Sequence, residues 1–270
     1  MFKDEFYTLY NGVKIPKIGF GTWQNNNPEE CIETVAYALK VGYRHIDSAQ
    51  AYGNEEYIQE AIKRSGIPRN EIFITSKLPA ELKGYEVCKK EFEGTLKRLG
   101  TDYLDLYLIH APNPWDIDQN SMENMPLNIE TWKMIEKLYK EGKIRAIGVS
   151  NFNIDQIELL RKHTEIVPMV NQVYCHIGEP RLDLLEYCEN NNILLEAYSP
   201  LKLGKLINHP ELIKMSNKYN VSVAQLCIRW CLMLNTLPLP KSVHEEYIKS
   251  NLNVDFEISN DDFEYLKTLK

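Results

Sequence analysis

Several things are missing from this chain, and each absence removes a class of protein. There is no Gly-x-Gly-x-x-Gly: Gly19-Phe20-Gly21 lacks the third glycine, which argues against an open dinucleotide-binding sheet of the Rossmann type. There is no Cys-x-x-Cys among the six cysteines at 31, 88, 175, 188, 227 and 231, so neither a zinc knuckle nor a redox dithiol is signalled and no metal is expected. Cys227 and Cys231 stand one helical turn apart, a spacing read as core packing. No uncharged run approaches the ~20 residues of a membrane helix, and Met1 to Phe6 holds no apolar signal core, so cytoplasmic residence is the expectation. No dense Lys/Arg stripe occurs, and a net charge of −7 argues against nucleic-acid or anionic-membrane surfaces. No Pro/Ser/Gly-rich linker divides residues 1–270, so a single domain is expected.

What the chain does contain is a repeated alternation of short apolar runs and helical patterns, with 44% hydrophobic residues to fill a core. Candidate strands lie at 18–23, 44–48, 72–78, 104–110, 146–151, 169–175, 193–199 and 237–242. Helix starts are well marked. Asn27-Pro28-Glu29-Glu30 offers a cap, a proline at the first position and acids in the first turn, with a stop at Gly42. Asn153 to Gln156 reads as a capping box opening a helix through Leu160, and Ser222 caps the run from Val223 to Leu234. Eight strands with intervening helices predict an α/β fold, a (β/α)8 TIM barrel. Upstream, Asn11-Gly12 between two alternating apolar runs predicts a β-hairpin that closes the barrel bottom. The Pro-, Asn- and Asp-rich segment 112–128 is too long for a minimal connection and reads as a functional loop over the opposite mouth.

Active sites of such barrels gather at the C-terminal strand ends, so the polar residues that close the apolar runs carry most weight. Asp47 ends the second run with Tyr52 five residues on, Lys77 closes the third and His110 the fourth. Together they are the parts of a proton-donating site for carbonyl reduction. Hydride transfer to a carbonyl builds charge on oxygen, a tyrosine can donate the proton, and a nearby ammonium lowers the phenol's pKa. Asp47 would keep Lys77 charged and in place, while His110 would hydrogen-bond the carbonyl oxygen. Singly, each has a plainer reading: Tyr52 as packing, Asp47 as a turn cap, Lys77 as a solvated strand end, His110 as a core histidine. Jointly they favour the site, because burying Lys and Asp without partners is costly. His45 is read as structural. A glycosidase using paired carboxylates from Asp102, Asp105 and Glu196 is a weaker rival, since Glu196 lies inside an apolar run and Asp105 begins its strand.

These residues resemble the aldo-keto reductase superfamily over essentially the whole chain, in the short, prokaryote-like style of the 2,5-diketo-gluconate reductases and carbonyl reductases. Four blocks carry the resemblance: Gly42 to Glu56, the His110 strand, Gly142 to Phe152, and Leu195 to Leu201 followed by Pro240-Lys241-Ser242. The resemblance implies NADPH-dependent reduction of aldehydes or ketones by a monomer, with Tyr52 as donor, Asp47 and Lys77 as its tuning pair and His110 as substrate orienter. It makes Ser150, Asn151 and Gln172 partners of the nicotinamide carboxamide and Tyr198 the ring stacked on it. Gly21 and Thr22 join the cofactor site; Ser199, Leu201 and Gly204 follow the pyrophosphate; Lys241, Ser242 and Asn251 meet the adenosine end. Some members of the superfamily serve as cofactor-binding regulatory subunits with little turnover, the alternative from another class.

Two departures from the family pattern bear on specificity. Where members carry Arg and Glu after the Lys-Ser pair, this chain has Tyr247 and Ser250, so NADH is expected to be accepted beside NADPH. Where Trp usually follows the histidine there is Ala111, which leaves room for bulkier substrates unless Trp115 fills it; Trp23 forms another wall. With few residues after the last helix, an open pocket with broad tolerance is expected.

Overall fold

The computed structural model describes residues 5–269. Eight parallel strands form one sheet in chain order: β3 (Phe20–Gly21), β4 (His45–Asp47), β5 (Phe73–Leu78), β6 (Leu104–Ile109), β7 (Ile144–Ser150), β8 (Val170–Tyr174), β9 (Leu194–Tyr198) and β10 (Leu237–Leu239). All eight expected strands are present, most of them trimmed at their ends, while β7 begins two residues earlier than expected, at Ile144. Sequential parallel order with a helix in most connections is the (β/α)8 arrangement. Between the first and last barrel strands the ladder runs one way only: Gly19 and Gly21 donate to the carbonyls of Pro238 and Pro240 at 3.1 and 3.0 Å. Pro240 has no N–H to return to Gly19, so this seam is thin for a covalent reason.

The hairpin pairs β1 (Phe6–Thr8) with β2 (Lys14–Pro16), turning at Asn11-Gly12 where Gly12 has φ +85°. It lies across the N-terminal end of the barrel: Tyr7 donates to the carbonyl of Thr236, Tyr10 to that of Val167 and Asn11 to that of Arg145. Each acceptor sits just before, or near the start of, a barrel strand.

Helices form the outer layer. The first, α1 (Pro28–Val41), opens on Asn27, whose side chain accepts from Glu30 N, and ends at Gly42. Next come α2 (Glu55–Ser65), α3 (Tyr85–Leu99), α4 (Met125–Lys140) and α5 (Ile154–His163). The capping boxes at Asn153 and Ser222 are both formed, the second on α8 (Val223–Met233), which follows α6 (Leu182–Asn190) and α7 (Pro210–Tyr219). Residues α9 (Glu245–Ser250) and α10 (Asn260–Thr268) complete the layer. The expected loop 112–128 is shorter than its composition suggested, because α4 starts at Met125. The core fills the barrel and the shell beneath the helices, with Ile46, Ile74, Leu106, Ala146 and Leu195 almost fully buried.

Candidate active site

The Asp47-to-Tyr52 stretch leaves β4 as a tight turn rather than a helix. A 3₁₀ turn over Gln50–Tyr52 ends at Gly53 in the left-handed region, and the turn is pinned from below by fully buried Asn54. The Asn54 amide donates to the carbonyls of Thr22 and Asn25, and its Oδ1 accepts from Ser48 Oγ. Thr22 in turn donates to the carbonyl of Asp47 at 2.9 Å. Next in sequence, buried Glu55 accepts from Ser76 Oγ and from Arg98, bracing the strand residue beside Lys77. Asn54 and Glu55 are thus positioning residues that the sequence reading passed over, although they sit inside its most informative block.

Asp47, Tyr52, Lys77 and His110 meet at the C-terminal mouth. Lys77 Nζ lies 2.8 and 2.9 Å from the two oxygens of Asp47, 2.7 Å from the carbonyl of Ser48 and 3.4 Å from the Tyr52 hydroxyl. Burial opposes the charge on Lys77, but Asp47 and Tyr52 more than offset it, and its pKa is raised. For Tyr52 the balance differs from the expectation drawn from residue types. Burial raises the phenol's pKa, Lys77 lowers it and Asp47 raises it again, and the net direction is upward. His110 packs edge-on against Tyr52 at 5.5 Å and is driven down to about 3, chiefly by burial and then by Lys77 and Lys83. It is therefore a neutral imidazole at physiological pH.

The residues carried over for the nicotinamide also converge. Ser150 Oγ donates to the carbonyl of Gln172, the Asn151 amide donates to Ser150 Oγ and to the carbonyl of His110, and the Tyr198 hydroxyl donates to Asn151 Oδ1 at 2.9 Å. Asn151 holds φ +62°, a conformation asparagine tolerates. Gln172 points inward: its amide nitrogen lies 2.8 Å from Asp47 Oδ2 and 2.7 Å from Glu196 Oε2, so both of its hydrogens are engaged by carboxyl groups. Glu196, set aside as an interior member of an apolar run, is fully buried and is joined through Gln172 to Asp47. Its inward place two residues before Tyr198 was the available signal.

Ser199, Leu201 and Gly204 form the loop after β9, where Ser199, Lys202 and Leu203 all have φ between +50° and +55°. Three non-glycine residues in the left-handed region within one short loop carry backbone strain that the surrounding structure must hold in place. Gly21 lies beneath β10, where an added Cβ would come 3.2 Å from the carbonyl oxygen of Leu239. Lys241 stands exposed after β10, and buried Asn251 carries an Oδ1 without a hydrogen-bond partner. Tyr247 is 52% exposed with its ring edge-on to His244.

At the substrate end the expected opening at Ala111 is absent, because Ala111 is fully buried and its carbonyl accepts from Lys83. The half-exposed indole of Trp115 lies edge-on to His110 at 5.4 Å and covers that side, with exposed Trp23 on the rim. The loop carrying Trp115 is tied to itself by the Asn113 amide, which donates to the carbonyls of Asp118 and Ser121, and to α5 through Gln156. The glycosidase alternative has no site. Asp105 sits at the N-terminal end of β6, bound by Arg69, Arg145 and Ile74 N. No group of His, Cys, Asp and Glu suited to a metal ion occurs among the described residues.

A parallel barrel whose C-terminal mouth gathers Asp, Tyr, Lys and His around one buried ion pair defines a class of barrel oxidoreductase. The chain belongs to the aldo/keto reductase family, whose model matches residues 17–270. It is 45% identical over 262 residues to a glyoxal reductase of Bacillus subtilis (strain 168), covering 97% of this chain and 91% of that one. An aldo/keto reductase structure from Brucella melitensis superposes with a TM-score of 0.91 at 40% identity, over 98% and 99% of the two chains. A Bombyx mori aldo-keto reductase in complex with NADP superposes with a TM-score of 0.87 at 30% identity, over 97% and 92%. No described helix is long and apolar enough to cross a membrane.

Proposed function

We propose that this protein reduces aldehydes and ketones to alcohols with NADPH, and that Tyr52 gives the proton. The observation that carries this reading is the Lys77 ammonium held between both Asp47 oxygens and the Ser48 carbonyl, with the Tyr52 hydroxyl as its fourth neighbour. Bound NADPH supplies the hydride. The residues present suit such a dinucleotide: Asn251 has a buried acceptor awaiting a donor, Lys241 an exposed charge, and Tyr198 a partly exposed ring beside Asn151.

Neutral His110 offers an N–H to the carbonyl oxygen without placing a competing charge beside Lys77. As charge grows on that oxygen, the Tyr52 O–H transfers its proton and the phenolate left behind is stabilised by Lys77. A raised phenol pKa does not obstruct this step. An alkoxide is a far stronger base than an ordinary phenolate, and Lys77 stands by to stabilise the phenolate that forms. The Trp115 indole and the Tyr52 ring flank His110 and limit water there.

The glyoxal reductase relative supports small reactive aldehydes as one substrate class. With no arginine at Tyr247, Lys241 and Ser242 are left to favour a 2′-phosphate, and NADH is accepted as well. A carbonyl panel run with NADPH and NADH side by side tests the reading. Cofactor oxidation that rises with aldehyde and disappears in Tyr52→Phe supports it; tight cofactor binding with background turnover on every carbonyl refutes it.

A further inference from the structure

Glu196 has no part in the reaction as described, yet it is fully buried inside the barrel with one carboxyl oxygen, Oε1, lacking any hydrogen-bond partner. Its other oxygen accepts from the Gln172 amide, and the same amide nitrogen donates to Asp47 on the opposite side of the lumen. Gln172 is the register partner of Glu196 across the β8–β9 pair. One neutral amide therefore joins two carboxyl groups, only one of which has a cation.

We propose that Glu196 is a positioning residue of the active site, a protonated carboxyl that sets the charge beneath the Asp47–Lys77–Tyr52 cluster through the Gln172 amide. The inference rests on the reductase reading. The charged groups around Glu196 are Asp47 from β4 and Lys77 from β5, while its β8 and β10 register partners, Gln172 and Leu237, are neutral. Two carboxylates sharing one ammonium in a dry lumen leave an excess negative charge, so one of them keeps its proton. Asp47 has Lys77 at both oxygens, whereas Glu196 has no cation within hydrogen-bond reach. Burial and then Asp47 push Glu196 up to about 8. Protonated, it leaves Lys77 free to stabilise the Tyr52 phenolate. Ionised, it makes that phenolate costlier and Tyr52 a weaker donor.

Glu196→Gln copies the protonated acid in volume and still offers an acceptor to Gln172. Infrared titration should find a protonated-carboxyl band in the wild type that fades with a midpoint near pH 8 and is missing from the variant. In the same range kcat for reduction should fall about 3- to 10-fold in the wild type and stay level in Glu196→Gln. The same inflection in both proteins overturns the proposal. So does a wild type without that band at neutral pH, a result that needs neither a folded variant nor a substrate and so stands apart from failure of the reductase reading.

Discussion

Lys77 Nζ is 2.8 Å from Asp47 Oδ1 and 3.4 Å from the Tyr52 hydroxyl, so the ammonium is held by the carboxylate and only leans on the phenol. That inequality suits the donor role proposed for Tyr52, in which the phenol stays protonated until charge appears on the substrate. Removing either partner has a separable consequence.

Tyr52→Phe deletes the proposed proton donor and leaves the ion pair. Turnover should fall at least about 10²- to 10⁴-fold, with cofactor affinity nearly unchanged. Steady-state kinetics beside a fluorescence titration with NADPH checks this, and near-normal turnover would refute the assignment.

Lys77→Met leaves Asp47 buried without its cation, at a cost of about 3–5 kcal/mol in stability besides the loss of activity. Urea unfolding should show the drop. An unchanged midpoint would mean that the Asp47–Lys77 pair contributes nothing to holding the fold.

His45 and His110 are buried neutral, each lowered to about 3, chiefly by burial and then by Lys77. Unfolded, both would titrate near 6.5. Between about pH 6.5 and 3 the unfolded chain binds more protons, so stability falls with pH by about 1.4 kcal/mol per pH unit for each histidine. His45→Gln, which retains a partner for Thr75, should remove one proton's worth of that slope in unfolding measured from pH 6 to 4. An unaltered slope would contradict the assignment.

Tyr247→Arg should restore a charge-assisted contact to a 2′-phosphate, worth about 1.5–3 kcal/mol. The NADPH-to-NADH ratio of kcat/KM should rise about 10- to 150-fold. A wild-type advantage for NADPH already beyond about 10⁴-fold would show that other residues grip the phosphate.

Asn54→Ala removes an amide that holds the Thr22 and Asn25 carbonyls and Ser48 Oγ. A loss of about 1–3 kcal/mol is expected from the unsatisfied buried groups, with kcat falling more than KM changes as the Tyr52 turn loosens. Thermal unfolding and kinetics measure the two effects separately.

Much of the molecule was legible before folding. Strand and helix order followed from local periodicity and caps such as Asn27, Asn153 and Ser222, which depend only on near neighbours in the chain. The strand ends at Asp47, Lys77 and His110 were legible because a parallel barrel sends all its C-terminal ends to one mouth. What only the tertiary structure decided was set by curvature and burial. Closing the sheet placed Gln172 of β8 across the lumen from Asp47 of β4, residues 125 apart in sequence, and so turned Glu196 into a neighbour of the Asp47–Lys77 pair. Burial outweighed Lys77 in setting the Tyr52 phenol, and the fold of residues 110–124 put the Trp115 indole over His110 while sealing Ala111 inside. Residue types and their spacing determine which groups reach the mouth. How dry that mouth is, and which groups share its charge, depends on distances that no local pattern encodes.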